Sequence, residues 1–321
     1  MSVTADVVGD PGAVGTPEIA ARSPLELFWR RLRSDRVALV ALGVIVFFVA
    51  IAIAAPLIRD LVGAPHYDIP DKGALDPAFG LPTGPSGNHI FGVDKQGRDI
   101  FVRVLYGLQV SLLVAVLSTG ISLVIGVVVG LLAGFYRGWV DQVLSRILDV
   151  FLAFPVLLLA IGISSSCSLG AGCLGGLMKP GVVTVVVVIA FAGWTYIGRI
   201  VRGQVLSLRE KEFVEAARSL GASNRRIIFS HLLPNLVAPL IVYTSLLIPS
   251  NILFEAALSF LGVGVQEPRP SLGSMISDAT QNFATSWWFL FFPGVTLVLL
   301  VLAFNLIGDG LQDALNPKTS K

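Results

Sequence analysis

The sequence predicts an all-α membrane protein with six transmembrane helices in one domain. Charged residues make up 14% of the 321 residues, whereas a soluble globular domain carries roughly 25%. The mean hydropathy is +0.80, and six separate apolar runs approach the roughly 20 residues that a helix needs to cross the hydrocarbon core. Because lipid offers the backbone no hydrogen-bond partners, we expect these runs to be helical.

The spans follow one another with loops of different length between them. They are Val37–Ile58, Leu108–Phe135, Ile147–Ser165, Gly181–Ile197, Leu236–Phe260 and Trp288–Ile307. Residues 1–22 are mostly small and polar and lack the apolar core of a signal peptide. We therefore expect a disordered tail over residues 1–22 and a transmembrane domain over residues 23–321.

The distribution of lysine and arginine predicts the side that each loop faces. Of the 23 such residues, 16 lie in the two termini and in the second-to-third and fourth-to-fifth loops, and seven lie in the other loops. Because basic residues are in excess in cytoplasmic loops, both termini and residues 211–235 are predicted to be cytoplasmic, and residues 59–107 extracytoplasmic. The net charge of +2 gives no reason to expect a nucleic-acid partner.

The fourth-to-fifth loop contains the segment KEFVEAARSLGASNRRIIFSHLLPN, residues 211–235. Its first part, Glu212–Leu220, predicts an amphipathic helix with apolar residues spaced at i, i+3, i+4 and i+7. These residues are Phe213, Ala216, Ala217 and Leu220.

A second short helix is predicted to complete a hairpin. Gly221 occupies the position after a helix where a left-handed residue is favoured. Ser223 predicts the cap of a helix over Asn224–Leu233, and Pro234 predicts its end. The hairpin is either an interfacial element that meets anionic lipid or a docking element for a cytoplasmic partner, which would use a fixed angle between two helices.

The sequence contains no phosphate-binding pattern G-x-x-x-x-G-K-[ST], so energy for transport has to come from another chain or from an ion gradient. Gly262 and Gly264 are interpreted as a close-packed helix end. With three histidines and two cysteines, the sequence does not predict a Cys/His metal cluster.

Two carboxylates lie in or near the predicted spans, where acidic residues are functional candidates. Asp149, near a span end, is interpreted as salt-bridged or reaching the interface. Glu255 either lines a passage, where it would meet the amino terminus of a peptide, or bonds to a neighbouring helix. A proton relay would require more such groups.

Three further features have local interpretations. Cys167 and Cys173 flank a glycine-containing stretch predicted to lie outside the cytoplasm, so they are expected to form a small disulfide, with two free thiols as the alternative. Asp99 is interpreted as a favourable charge at a helix N-terminus, in a loop with a docking role. His231 is interpreted as a helix-end residue rather than a general base.

The hairpin also carries the pattern that resembles the coupling loop of ABC importer permeases: EAA, a glycine, and a later LP. The residues that match are Glu215, Ala216, Ala217, Leu220, Gly221, Leu233 and Pro234. His231 departs from the general pattern, but the HxLPN form is similar to the peptide-permease branch. The resemblance implies that these residues, with His231, meet an ATPase subunit.

The resemblance covers nearly the whole chain and is to the C-type permease subunit of the dipeptide/oligopeptide/nickel group. The segments that carry it are Ser23–Leu42, Phe91–Leu112, Ile147–Pro155, Glu255–Ile276 and Trp287–Leu315. It implies a type I importer transmembrane domain in a prokaryotic inner membrane.

The resemblance also implies the partners of the chain. They are a B-type permease, two ATPase subunits that hold ATP and Mg²⁺, and an extracytoplasmic binding protein. The chain itself would be no enzyme and would need no cofactor. The expected cargo is a di- or oligopeptide, with nickel or another small solute as the alternative. A stand-alone secondary transporter and a membrane scaffold are the competing classes.

Overall fold

The computed structural model describes residues 24–168, apart from residues 77 and 79, and residues 181–315. The described part of the chain is helical and contains no β-strand beyond two isolated bridges. The predicted tail, residues 1–22, lies outside the described residues. The helices are α1 (Pro24–Ser34), α2 (Arg36–Val62), α3 (Ile100–Phe135), α4 (Trp139–Ala153), α5 (Val156–Ser168), α6 (Val182–Leu208), α7 (Glu212–Ser219), α8 (Asn224–Arg226), α9 (Leu233–Phe260), α10 (Leu272–Ala279) and α11 (Trp287–Leu315).

Five of the predicted spans are confirmed as helices that are long and apolar enough to cross a membrane. They contain α2, α3, α6, α9 and α11, and α8 and α9 belong to one continuous helix, Asn224–Phe260. Several helices extend beyond the predicted boundaries. The helix of the fifth span begins at Asn224 instead of Leu236, and α11 ends at Leu315 instead of Ile307. α3 begins at Ile100 instead of Leu108, and α6 continues to Leu208, eleven residues beyond Ile197.

The third predicted span, Ile147–Ser165, is wrong as a single straight helix. α4 and α5 are bent by 85° relative to each other at Phe154 and Pro155. Proline lacks the N–H that would continue the helix, and the residue before it is disfavoured in the helical conformation. Phe154 accordingly has an extended backbone, with ψ 138°. The two helices count as a sixth span when the bent pair is taken together.

α3 and α6 pack closely because three glycines recur every four residues on α3. A Cβ on Gly126 would lie 2.6 Å from the Cβ of Ile197, and one on Gly130 would lie 2.7 Å from the carbonyl oxygen of Gly198. Gly134 approaches Val205 in the same way. Small residues at this spacing allow the backbones of membrane helices to come together, so α3 and α6 form a tightly packed pair.

The segment before α3 is anchored to the start of α11. The ring of Phe91 stacks on that of Phe292 at 3.8 Å, and Trp288 Nε1 donates a hydrogen bond to the carbonyl oxygen of Val93. Asp99 caps α3 by accepting from the N–H of Val102 at 3.0 Å, as predicted. These contacts hold the connection between α2 and α3 against the helical core.

Candidate functional site

The hairpin over residues 211–235 has the predicted turn. α7 ends at Ser219, and Gly221 follows with a φ of 78°. A Cβ on Gly221 would meet no atom within 4 Å, so the turn requires glycine for its backbone conformation and not for space. Ser223 accepts a hydrogen bond from the N–H of Arg226 and so caps α8. The local sequence therefore fixes how the chain reverses.

The predicted end of the second helix at Pro234 is wrong. The chain passes from α8 through a π-helical segment, Ile227–Leu232, directly into α9. Pro234 cannot donate to the carbonyl four residues earlier, and its ring would clash there. The helix widens instead, and the N–H of Leu233 bonds to the carbonyl oxygen of Ile228, five residues earlier. The hairpin is thus continuous with a transmembrane helix.

The two sides of α7 have different surroundings. Val214 is fully buried in an apolar cluster with Ile227 and Leu232. Ala217 is 8% exposed, so it lies on the attached side of the helix, although the sequence placed it on the docking surface. Val214 was missed because it lies off the predicted apolar face.

The outer side of α7 is exposed and partly apolar. Phe213 is 40% exposed and Leu220 is 89% exposed. Ala216 and Glu215 are exposed as well. Burial of a leucine side chain contributes roughly 1.5–3 kcal/mol. Contact with another surface would therefore stabilise this row of exposed side chains, which we call the apolar ridge.

The predicted site residues that follow the turn at Gly221 lie where α7 packs against the continuous helix Asn224–Phe260. His231 is half-buried, and its ring centroid lies 6.5 Å from that of Phe213. Leu233 is half-buried and Pro234 is exposed. The carbonyl oxygen of His231 accepts a hydrogen bond from Asn235 Nδ2 at 2.7 Å. The interpretation of His231 as a helix-end residue is wrong, because His231 lies in the π-helical segment inside the continuous helix Asn224–Phe260.

The segment that leads into the hairpin is attached to the end of α3 by a group of contacts that the sequence did not predict. Arg209 is 6% exposed and donates from one guanidinium nitrogen to the carbonyl oxygens of Gly134, at 2.8 Å, and Phe135, at 3.1 Å. These carbonyls belong to the last turn of α3, where helix carbonyls lack partners within the helix. The cation also matches the negative end of the helix dipole.

Two more contacts connect this part of the chain to the end of α3. Glu210 forms an ion pair with Arg137 just beyond α3, and the guanidinium of Arg218 on α7 lies 5.8 Å from the ring centroid of Phe135. We call residues 134–137 the α3 terminus. Arg209 and Glu210, just before the hairpin, and Arg218 within it hold this part of the chain to the α3 terminus, and no sequence spacing links positions 73 to 83 residues apart.

Ion pairs connect α4 to α6 next to this site. Arg202 binds Asp141 through two nitrogens at 2.7 and 3.0 Å, and Arg199 binds Asp149 at 2.6 Å. The salt-bridged interpretation of Asp149 is confirmed. Two parallel N–H···O bonds from one guanidinium are the strong form of such a pair.

Glu255 has no exposed surface in this structure. Its carboxylate accepts hydrogen bonds from Ser111 on α3, at 2.8 Å, and from Ser259 on α9, at 2.7 Å. Ser111 also accepts from the N–H of Leu272, the first residue of α10. Glu255 therefore joins three helices, as the alternative interpretation expected, and its passage-lining role stays a prediction.

The remaining predicted residues lie away from the hairpin. Cys167, in α5, is 1% exposed and disulfide-bonded, while Cys173 lies outside the described residues. Asp94 and Arg98, in the predicted docking loop, are buried and joined at 2.7 Å. Arg98 also reaches Glu267 at 3.0 Å. This charge cluster orders the loop.

Family models and curated relatives match the sequence of this chain. The model of the binding-protein-dependent transport system inner membrane component covers residues 126–321. A second model, the N-terminal transmembrane domain of oligopeptide transport permease C, covers residues 23–74. The chain belongs to this permease family. It is a C-type permease of the dipeptide/oligopeptide group, as the resemblance implied.

Two relatives of this permease span almost its full length. It is 41% identical over 301 residues to the dipeptide transport system permease protein DppC of Alkalihalophilus pseudofirmus, covering 94% of this chain and 92% of that one. It is 42% identical over 297 residues to the glutathione transport system permease protein GsiD of Salmonella typhimurium, covering 92% and 91%.

A solved structure shares the fold. The inward-facing MetNI methionine ABC transporter aligns with a TM-score of 0.55 at 21% identity, over 68% of this chain and 96% of the matched chain. At that identity the likeness establishes the fold alone. The permease is thus built as a type I ABC importer transmembrane domain.

Proposed function

We propose that this permease forms half of the passage of an ATP-driven importer of di- and oligopeptides. It pairs with a B-type permease and receives motion from two separate ATPase subunits through the 211–235 hairpin. An extracytoplasmic binding protein delivers the cargo. ATP and Mg²⁺ bind to the ATPase subunits, and this chain needs no cofactor of its own.

The outer side of α7 supports the coupling role most directly. It is an apolar ridge of exposed side chains with Leu220 at its tip, on a helix whose opposite side is buried. A displacement of α7 by an ATPase subunit would be transmitted to the membrane helices. The contacts of its inner face and of the α3 terminus leave α7 little freedom to move alone. The residues proposed to meet the ATPase are Glu215, Ala216, Leu220, Gly221, His231, Leu233 and Pro234.

Peptide cargo is supported by the relatives, whose names state transport of dipeptides and of glutathione. Glutathione is itself a short peptide. Nickel or another small solute is the alternative cargo for the same machinery. The proposed location is the prokaryotic inner membrane, with both termini in the cytoplasm.

Reconstitution tests the proposal. The permease is purified with its candidate partner permease and ATPase subunits and placed in vesicles with the binding protein, and uptake of labelled peptide is measured with and without ATP. Uptake that requires ATP and all partners supports the importer. ATP hydrolysis stimulated by the binding protein without peptide uptake favours another cargo. Uptake by this chain alone, driven by an ion gradient, would establish a secondary transporter instead.

A further inference from the structure

The helix α1 has two unlike faces, and the mechanism proposed above uses neither of them. It is joined to α2 by one residue, Asp35. The carboxylate of Asp35 accepts from the N–H groups of Val37 and Ala38, at 2.9 and 3.1 Å, and its own N–H donates to the carbonyl oxygen of Leu32. The joint is therefore fixed by hydrogen bonds, and α1 has a defined position next to the first span.

The inner face of α1 packs on the protein. Leu32 is 5% exposed and belongs to the same apolar cluster as Ala314 near the end of α11. Phe28, one turn earlier, packs against this cluster. These contacts set the rotation of α1 about its own axis, so that the residues opposite face away from the protein.

The outer face of α1 is basic and carries one large aromatic ring. Arg30 and Arg33 on α1, and Arg36 at the start of α2, are exposed and recur every three residues. Trp29 is 52% exposed, and the guanidinium of Arg33 lies 5.9 Å from its ring centroid. Among the described residues, no carboxylate forms an ion pair with any of the three arginines. Their charge is therefore available to another molecule.

The protein surface changes from basic to apolar within one helical turn of Arg36. Val37 and Val40, at the start of α2, are 56% and 67% exposed, and they begin the apolar surface that a transmembrane helix presents to lipid tails. A boundary from exposed valine to exposed arginine, with tryptophan beside it, matches the change from hydrocarbon to headgroups in a bilayer. Clustered arginines next to a span attract anionic headgroups.

We propose that Trp29, Arg30 and Arg33 on the outer face of α1, together with Arg36 at the start of α2, form a binding surface for anionic phospholipid headgroups. The phosphates pair with the guanidinium groups and the ring of Trp29 lies at headgroup level. The binding is mainly electrostatic, since the surface offers separate cations and no enclosed pocket. Each arginine near an anionic surface is expected to contribute about a fivefold change in lipid affinity.

Lipid retention by the purified complex tests this surface. The full complex is exchanged into detergent with either phosphatidylglycerol or phosphatidylcholine, and native mass spectrometry counts the lipids that remain bound. We expect the wild type to retain phosphatidylglycerol preferentially. The double variant Arg30→Gln/Arg33→Gln should lower that preference by roughly 25-fold. The charge-conserving variant Arg30→Lys/Arg33→Lys should keep it.

Salt provides a measurement that needs no variant. Because exposed charges are screened, the wild-type preference for phosphatidylglycerol should fall as ionic strength rises. Equal retention of the two lipids, a preference that survives in the glutamine variant, or a preference insensitive to salt would overturn the proposal. Loss of an ATPase subunit from the glutamine variant, without a change in lipid retention, would assign the surface to a protein partner instead.

Discussion

The guanidinium of Arg209 lies 2.8 Å from the main-chain carbonyl oxygen of Gly134, so the residue between α6 and the hairpin is bonded to the last turn of α3. Gly134 is also one of the three glycines that bring α3 close to α6. A displacement of the hairpin therefore reaches α3 by two routes, through the helix pair and through this hydrogen bond. The α3 terminus is where the two routes meet.

Replacement of Arg209 by glutamine should reduce the number of solute molecules carried per ATP hydrolysed. A buried hydrogen bond to a charged group contributes about 1.5–3 kcal/mol, and glutamine cannot supply the same cation. The measurement is the ratio of uptake to ATP hydrolysis in the reconstituted importer. Arg137→Gln is the matched control. Its ion pair is exposed and contributes about 0–1 kcal/mol, so its ratio should stay near that of the wild type. Equal ratios for both variants would contradict the role of Arg209.

Gly221→Val should uncouple ATP hydrolysis from transport and leave insertion intact. A β-branched residue at a φ of 78° carries strain of about 1–3 kcal/mol, which shifts the angle between α7 and α8. Uptake and ATPase activity are measured on the same vesicles. Gly43→Ala is the control, because Gly43 also has space for a Cβ and lies within α2, away from the hairpin. A Gly221→Val importer that transports at the normal rate would remove the main support for coupling through this turn.

Leu220→Ser should weaken assembly with the ATPase subunits. Loss of a leucine contact at an interface costs about 1.5–3 kcal/mol, which is roughly a 10- to 150-fold weaker association. Co-purification of the ATPase subunits across a dilution series measures the effect. Leu61→Ser is the comparison, since Leu61 is 78% exposed and lies at the far end of α2. The same loss of ATPase in both variants would point to a general defect.

Gly130→Val should destabilise the fold itself. Its Cβ would lie 2.7 Å from both the carbonyl oxygen of Gly198 and the Cβ of Val201, so α3 and α6 have to separate. Overpacking of this kind costs about 1–3 kcal/mol, seen as a lower melting temperature and less folded protein. Gly120→Ala on the same helix, where a Cβ meets nothing within 4 Å, should behave like the wild type. Equal melting temperatures for all three proteins would show that the close approach is unimportant.

Glu255→Gln should preserve uptake, and Glu255→Ala should lower stability. Glutamine still offers an acceptor to Ser111 or Ser259, whereas alanine leaves both hydroxyls without their acceptor, at a cost of about 1–3 kcal/mol for each. Thermal unfolding and peptide uptake are measured for both variants. If Glu255→Gln slows uptake with no change in melting temperature, the carboxylate contacts the solute in another conformation.

The features that the sequence predicted well are local. Gly221 and Ser223 determine the turn through their own backbone and side chain, and Asp99 caps the helix that follows it. The five confirmed spans depend on length and hydrophobicity, which a single segment contains. Each of these properties is decided within a few residues of the chain, so no knowledge of the fold was needed.

The features that the sequence missed depend on distant parts of the chain. Proline at position 155 predicts an interruption, but the 85° angle depends on what α4 and α5 pack against. Val214 points inward because Ile227 and Leu232 lie there, and no helical period on α7 reveals that. The glycine spacing 126, 130, 134 was visible in the sequence and would have predicted the contact between α3 and another helix.

Under the proposed coupling, the continuous helix Asn224–Phe260 would act as a lever. Its 37 residues extend about 55 Å at 1.5 Å per residue, while the hydrocarbon core is about 30 Å thick. A tilt of about 10° imposed at its hairpin end would carry its far end through roughly 10 Å. Glu255 and Ser259 lie near that far end and bond to α3 and the start of α10. In the proposed importer, a small rotation of the hairpin would thus become a movement of roughly 10 Å at the other end of this helix.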